Sequence, residues 1–331
     1  MNQKSSIEEK SLVKMGKYTL KRILQAIPIF LGITFAVFIL SDMAPGSPID
    51  IIASQAALTE EQIEALKIAY GLDKPVVIRY FIWLWNVIRG DLGTSTSTGV
   101  AVASIIGQRL GPSLILSLTS LVFSVIVGVF LGIMSAYKPY SLWDKVASGL
   151  AFLGSSMPSF FTALLLIYLL SVKLHLFPAS GMYGAGAHTL GNLISHLILP
   201  ALIISLQSIG GYIKQTRGAM LECVNEDYVK TARSKGISEW QVTIRHTLRN
   251  ALIPIVTQLG LSVPYLVGGA VVTEQIFGWP GIGSLMVNAV NTFDYNLIMG
   301  ITVLISVVVL FTNIILDLVY AALDPRISQE A

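Results

Sequence analysis

Six stretches of this chain run almost without charge: 18–41, 113–137, 146–171, 193–213, 251–272 and 297–322. They constrain the fold more than any other feature, because a helix rising about 1.5 Å per residue needs about 20 apolar residues to cross the hydrocarbon of a bilayer. Composition points the same way: 53% of the 331 residues are hydrophobic and only 12% are charged, against roughly 25% charged in soluble domains. Inside a bilayer, backbone amides and carbonyls find no water. The runs also lack the alternating pattern of a barrel strand, so helices are the solution. The sequence predicts an all-α polytopic membrane protein with six transmembrane helices and short amphipathic helices in its loops.

The expected organisation is a polar segment 1–17, a first span 18–41, an outer loop 42–112, and a five-helix core 113–322. That core includes a charged insert 214–250, and a tail 323–331 follows it. Lys14, Lys17, Lys21 and Arg22 flank the first span as they would flank a secretory signal. The span is too long for one and has no small-residue cleavage site, so it is expected to remain as an anchor.

Basic residues set the orientation, because positive charge in short loops is retained on the cytoplasmic side during insertion. Lys10, Lys14, Lys17, Lys21 and Arg22 precede the first span. Lys138 and Lys145 follow the second, and Lys230, Arg233, Lys235, Arg245 and Arg249 lie in the insert. All fall on one side of a six-span arrangement, while the opposite short loops hold only Lys173. Both termini are therefore expected in the cytoplasm.

The loop 42–112 is then outside. In "LTEEQIEALKIAYGLDKP", Thr59 with Gln62 reads as a capping box, Ile63, Leu66 and Tyr70 as an apolar stripe, and Gly71 as a helix stop before Pro75. "VVIRYFIWLWNVIRGDLG" is too short and too polar to span. With Tyr80, Trp83 and Trp85 placed for headgroup level, it reads as an interfacial helix.

The insert contains "DYVKTARSKGISEWQVTIRHTLRN", the wettest stretch in the second half of the chain. Its pattern is two helices. Asn225 is placed to cap the first, with Glu226 and Asp227 in its first turn, Arg233 and Lys235 in its last, and Gly236 as its stop. Ser238 with Gln241 reads as a capping box for the second, whose Trp240, Ile244 and Leu248 lead into the fifth span. Tyr228, Val229 and Ala232 form one narrow face on the first helix. A helix this short is marginal alone. It leans either on its own chain and the headgroups or on a partner whose groove accepts a small apolar ridge rimmed with positive charge.

"YVKTARSKGISEWQVTIRHTLRNALIP" resembles the coupling-loop signature of ABC importer permeases in its dipeptide and oligopeptide form. "KRILQAIPIFLGITFAVFILSDMAPGSP", "LTEEQIEALKIAYGLDKP", "GDLGTS", "EQIFGWPGIGSLMVNAV" and "NIILDLVYAALDPR" extend the resemblance over 21–326. They match the first-type permease, with a large outer loop after span one. The resemblance implies that Tyr228, Val229, Lys230, Thr231, Ala232, Arg233, Ser234, Lys235 and Gly236 dock on a cytoplasmic ATPase. Lys230 and Thr231 stand where the general motif has glutamate and its first alanine. It further implies a homologous second permease subunit, two cytoplasmic ATPase subunits that bind ATP and Mg, an extracytoplasmic substrate-binding protein, and residence in a bacterial inner membrane. No cofactor is expected in this chain.

The sequence has no P-loop for nucleotide phosphates and neither an H-E-x-x-H nor a G-x-S-x-G signature, so an enzyme is not expected and energy must come from other subunits. Four histidines with a lone Cys223 give no metal-ligand spacing, and a net charge of +3 gives no footprint for nucleic acid. Gly128 and Gly132 permit a close helix approach, and Pro158, Pro200, Pro254 and Pro264 are expected to kink or start spans. Asn313 and Asp317 read as a structural tie near the inner end of the last span, and Asp324-Pro325-Arg326 as a helix exit. In "EQIFGWPGIGSLMVNAVNTFDYN", Trp279, Pro280 and Ile282 form a candidate gate, the other reading being a helix packed on the outer ends of the spans. A nickel-chelate or other small-solute importer and an ion-coupled secondary transporter are the competing functions. The latter calls for paired broken helices and buried carboxylates, which this sequence does not show.

Overall fold

A computed structural model of the chain describes residues 2–44, 49, 53, 59–69, 71–184, 188–268 and 271–323, with side chains for all of these but 2–18, 69, 253, 263–268 and 317–323. Among them the chain is helical apart from turns and a single bridge between Thr94 and Ala101. It forms two compact units, Met1–Leu110 with Leu285–Ala331, and Gly111–Ser284.

In the first unit, α1 (Asn2–Met43) packs along α12 (Tyr295–Leu323), and α3 (Val76–Ile88) packs on α1. The 25-residue apolar part of α1, Thr19–Met43, is almost wholly uncovered by protein, as suits a helix whose solvent is lipid. Tyr80 departs from expectation. Its ring sits edge-on to Phe35 and Phe38, and its hydroxyl lies 2.9 Å from Thr34 Oγ1 and donates to Leu31 O at 3.2 Å. Tyr80, expected at headgroup level, instead glues α3 to α1, with Trp83 beside Phe38, while Trp85 stays exposed. Between them α2 (Glu60–Ala69) opens with the expected reciprocal cap. Thr59 N donates to Gln62 Oε1 at 3.0 Å and Gln62 N to Thr59 Oγ1 at 3.4 Å. It ends on Gly71 at φ 66°, while Tyr70 lies outside the described residues.

The loop after α3 is tied to the start of α12. Asp294, fully buried, accepts from Thr96 N at 3.2 Å, Ser97 Oγ at 2.9 Å, the Ser95 hydroxyl, and Leu297 N at 3.2 Å in the first turn of α12. Asn296 Nδ2 reaches back to Thr94 O at 2.8 Å. The Ser95 and Ser97 hydroxyls and the Thr96 and Ser97 amides of "GDLGTSTSTG" thus solvate one carboxylate. Burial pushes the Asp294 carboxyl up, and the bonds from Ser95, Ser97, Thr96 and Leu297 outweigh that and hold it below the ordinary carboxylate value. A depressed folded pKa contributes stability that is full above the unfolded value and lost as pH falls through the folded one. Unfolding temperature in detergent is therefore expected to drop as pH falls below the ordinary aspartate value and through the lower folded one. Asp294→Asn, which leaves donors facing an amide, is expected to remove that pH response and to lose about 1–3 kcal/mol at neutral pH.

In the second unit, α7 (Leu190–Cys223) is the central helix, in contact with α5 (Leu142–Ser156), α6 (Ser159–Leu166), α9 (Leu248–Gly268) and α10 (Val271–Ile276). The approach of α4 (Val102–Tyr137) to α7 is set by the two glycines: a Cβ on Gly128 would lie 2.5 Å from Tyr212 Cβ, and one on Gly132 would lie 2.6 Å from Thr216 Cβ. Higher in α4, Ser205 Oγ donates to Ser120 O at 3.0 Å and Ser124 Oγ to Ser205 O at 3.4 Å. Small residues and hydroxyls do here what the hydrophobic effect cannot do between helices in lipid. Gly154 meets the Leu206 carbonyl and Gly210 the backbone of Ala151, closing α5 on α7 in the same way. At one end of this bundle Asp144 takes Arg217 Nε at 3.1 Å, Tyr140 N at 2.8 Å and the Ser135 hydroxyl.

The expected third span 146–171 is not one straight helix. Met157 is extended (φ −95°, ψ 130°) and Pro158 restarts the helix, with a bend of 108° between Leu142–Ser156 and Ser159–Lys173, the latter ending in a wide turn Ile167–Lys173. Proline removes an amide and drives its predecessor out of the α region. Four helices among the described residues are long and apolar enough to cross a membrane, and five if the bent pair is one span. Among the described residues the expected count of six is not reached, the fifth stretch lying partly outside them. The fifth expected span appears as α9, which holds Pro254, followed by α10 after residues outside the description. Pro200 lies inside α7. Asn313 is exposed on α12, and the side chains of Asp317 and Pro264 and all of Asp324-Pro325-Arg326 fall outside the described residues.

Candidate functional site

The charged insert folds as an ordered corner between α7 and α9. Its first helix, α8, spans Asp227–Ser234. Glu226 holds the N-cap position without a side-chain bond, while Asn225, the expected cap, turns its amide back to Leu221 O at 3.4 Å. The stop is as expected: Gly236 is left-handed at φ 76°, its amide donates to Arg233 O at 2.9 Å, and Ile237 N donates to Ala232 O at 3.4 Å. These two bonds form a Schellman motif.

The expected face does not stay together. Val229 and Ala232 are 0% and 4% exposed, packed with Val242 and Ile237 of their own chain, while Tyr228 is 40% exposed. The helix leans on the polypeptide that carries it. Lys230, Thr231, Arg233, Ser234, Lys235 and Gly236 remain at the surface beside Tyr228. Arg233 binds Glu239 through two bonds, Nε to Oε1 at 2.9 Å and Nη2 to Oε2 at 3.2 Å, which pins α8 to the next helical run. Lys230 pairs with Asp227 in solvent at 2.9 Å, an interaction worth at most about 1 kcal/mol.

That next run begins as Glu239–Gln241 and widens to a π-helical stretch, Val242–Thr247, before α9. Ser238 takes the N-cap position, but the expected capping box with Gln241 does not form. The wide turn shifts the register, so Val242, Thr243 and Thr247 face inward and Trp240 and Ile244 outward. Trp240 stands edge-on to Tyr137 at the end of α4, ring centroids 5.5 Å apart.

The candidate gate occupies a corner inside the second unit. Trp279 is 0% exposed among Leu116 and Ala201, with Leu193 and Leu197 beside them, and its Nε1 donates to Pro112 O at 2.9 Å. Ile282, also buried, begins α11 (Ile282–Asn291) and donates its amide to Ser113 Oγ at 2.7 Å. Pro280 is half-buried between them. Glu274, which sequence reasoning passed over, organises the corner. It is fully buried, accepts from Ser113 Oγ at 2.9 Å and Ser284 N at 2.8 Å, and sits where a Cβ on Gly281 would go. Burial pushes its carboxyl up, and the bonds from Ser284, Ser113 and Gly283 pull it only partly back. A lone acid closing an apolar run was the available signal.

A charged, ordered corner joining two long apolar helices of an α-helical bundle is the form of a polytopic membrane protein with a structured loop at its aqueous surface. The chain belongs to the family of binding-protein-dependent transport system inner membrane components, whose description it matches over 128–329, with the N-terminal component of the same systems matching 15–125. It is 42% identical over 316 residues to a putative peptide permease protein of Brucella suis biovar 1 and 39% identical over 315 residues to the oligopeptide transport system permease protein AppB of Bacillus subtilis. It is 34% identical over 336 residues to the dipeptide transport system permease protein DppB of Escherichia coli K12. Each comparison covers 95% of this chain and 99% of the relative.

Proposed function

We propose that this chain is the membrane-spanning permease subunit of an ATP-driven importer of peptides. The observation that carries the reading is the end-to-end similarity to peptide permeases, 95% of this chain at 34–42% identity. The chain forms half of the translocation path, and a homologous second permease supplies the other half. Two cytoplasmic ATPases bind ATP and Mg and hydrolyse the nucleotide. An extracytoplasmic binding protein delivers the peptide, and both termini face the cytoplasm. Tyr228 through Gly236 receive the motion of the ATPase, with the exposed side chains making the contact and Val229 and Ala232 passing the load into α9 through Val242. Trp279, Pro280 and Ile282 close the outer end. The test is co-purification and uptake. An ATPase pair retained with this chain and ATP-dependent entry of a peptide supplied with its binding protein are expected. Gradient-driven uptake by the chain alone would overturn the reading.

A further inference from the structure

From Gln207 to Gly218 the outward side of α7 is polar or small, whereas Leu190, Ile194 and Ile198 are exposed in its first half. Gln207, Gly211, Lys214, Gln215 and Gly218 are exposed, spaced by three and four residues on one face, while Ile203, Ile209, Ile213, Thr216 and Met220 are buried against the neighbouring helices. A second helix adds to the same face: a Cβ on Gly211 would lie 2.8 Å from Gln258 Nε2 of α9. Other exposed sides of this unit are apolar, as Phe152, Phe160, Phe161, Leu164 and Leu261 show. Those suit lipid, and the α7 stripe does not, because a polar group at bilayer depth faces water or a partner. Gln207 stands at the middle of the 34-residue helix. Lys214 is two turns further, about 10 Å along the axis toward the charged insert. Its ammonium has no ion pair among the described residues, whereas Arg217, one turn beyond, is held by Asp144.

We propose that this stripe lines a water-filled passage, and that Lys214 receives a carboxylate of the substrate as it moves inward. The second half rests on the peptide reading above, since a peptide carries a free carboxylate. The first half does not. An unpaired cation on a polar wall attracts an anion without trapping it, because in water the attraction of unit charges at contact is only about 1 kcal/mol.

The experiment uses the complete transporter, this chain with its second permease and both ATPases, in proteoliposomes and in a Cys223→Ser background. Gln207→Cys, Gly211→Cys and Gln215→Cys are expected to react with a membrane-impermeant anionic thiol reagent within about 10-fold of the rate of the exposed Tyr140→Cys, and Phe152→Cys and Leu261→Cys to remain unmodified. Absence of reaction along the stripe means that lipid or the second permease covers it, and overturns the passage. Trialanine uptake is expected to fall at least about 10-fold in Lys214→Glu, where like charge repels the carboxylate, and to stay within about 2-fold in Lys214→Arg. Equal uptake by the two variants would assign Lys214 to headgroup anchoring and overturn its role. Labelling reports on the passage whatever the substrate. A wild-type transporter that labels but does not take up trialanine overturns the carboxylate contact together with the peptide reading, and leaves the passage standing.

Discussion

Ala232→Asp is expected to insert normally and to reduce the ATPase stimulation caused by loaded binding protein at least about 10-fold, because a carboxylate in the small cluster under α8 lacks both water and a counter-ion. The cluster is Val229, Ala232 and Val242 with Ile237 beside them, and it seats the helix together with the Arg233–Glu239 pair and the Tyr228 tie to Asn250. An uncompensated buried charge costs several kcal/mol, more than an eight-residue helix with two exposed ion pairs can offset. The helix would lift from its seat while the spans remain in the membrane. Gly236→Val acts on the same element more gently. Nothing lies within 4 Å of the position of its Cβ, so the penalty is the left-handed φ of 76° alone, about 1–2 kcal/mol for a residue with a side chain. Tyr228→Ala leaves the Val229–Ala232–Val242 cluster intact and removes a half-exposed ring together with its tie to Asn250. ATPase stimulation in reconstituted transporter separates the three variants: a loss in Tyr228→Ala with unchanged proteolytic protection of 227–250 marks a docking surface. A loss only where the seat is broken marks a purely structural corner.

What was legible in the sequence is what short-range hydrogen bonding and chirality enforce. The Thr59–Gln62 box and the Gly236 stop need only neighbours within five residues, and both form as read. Gly128 and Gly132 were legible for a different reason: a missing side chain on an apolar helix has few uses other than close approach, and α7 fills the space. The misreadings share a cause in tertiary packing. Nothing local says that Tyr80 bonds to Thr34 or that Ser95 bonds to an aspartate 199 residues away. The spacing of Trp240, Ile244 and Leu248 says nothing of the wide turn 242–247, which turns Val242, Thr243 and Thr247 inward and leaves Trp240 and Ile244 exposed. Val229 and Ala232 were correctly placed on one side of α8, but periodicity cannot say whether such a side meets a partner or the chain's own next turn. The break at Pro158 was visible as a proline, its angle of 108° was not.

Trp279→Ala is expected to lower stability by about 3–5 kcal/mol. It removes a wholly buried ring lodged against Leu116 and Ala201 and leaves the Pro112 carbonyl without its donor at 2.9 Å. Trp279→Phe keeps most of the volume, loses the indole bond, and is expected to lose about 1–3 kcal/mol. Thermal unfolding in detergent measures both. Position 282 then distinguishes a moving gate from a fixed corner. Ile282 is fully buried and its amide is held by Ser113, which in turn donates to Glu274. A cysteine there can react with a water-soluble reagent only if the Ser113–Glu274–Ser284 ties open. If 277–282 moves during transport, Ile282→Cys should be inert in the resting transporter and reactive in one nucleotide state, and Trp279→Phe should raise the resting rate by weakening the wedge. If the segment is a permanent corner, the cysteine stays inert in every nucleotide state, and Trp279→Phe changes the melting temperature while leaving the reactivity untouched.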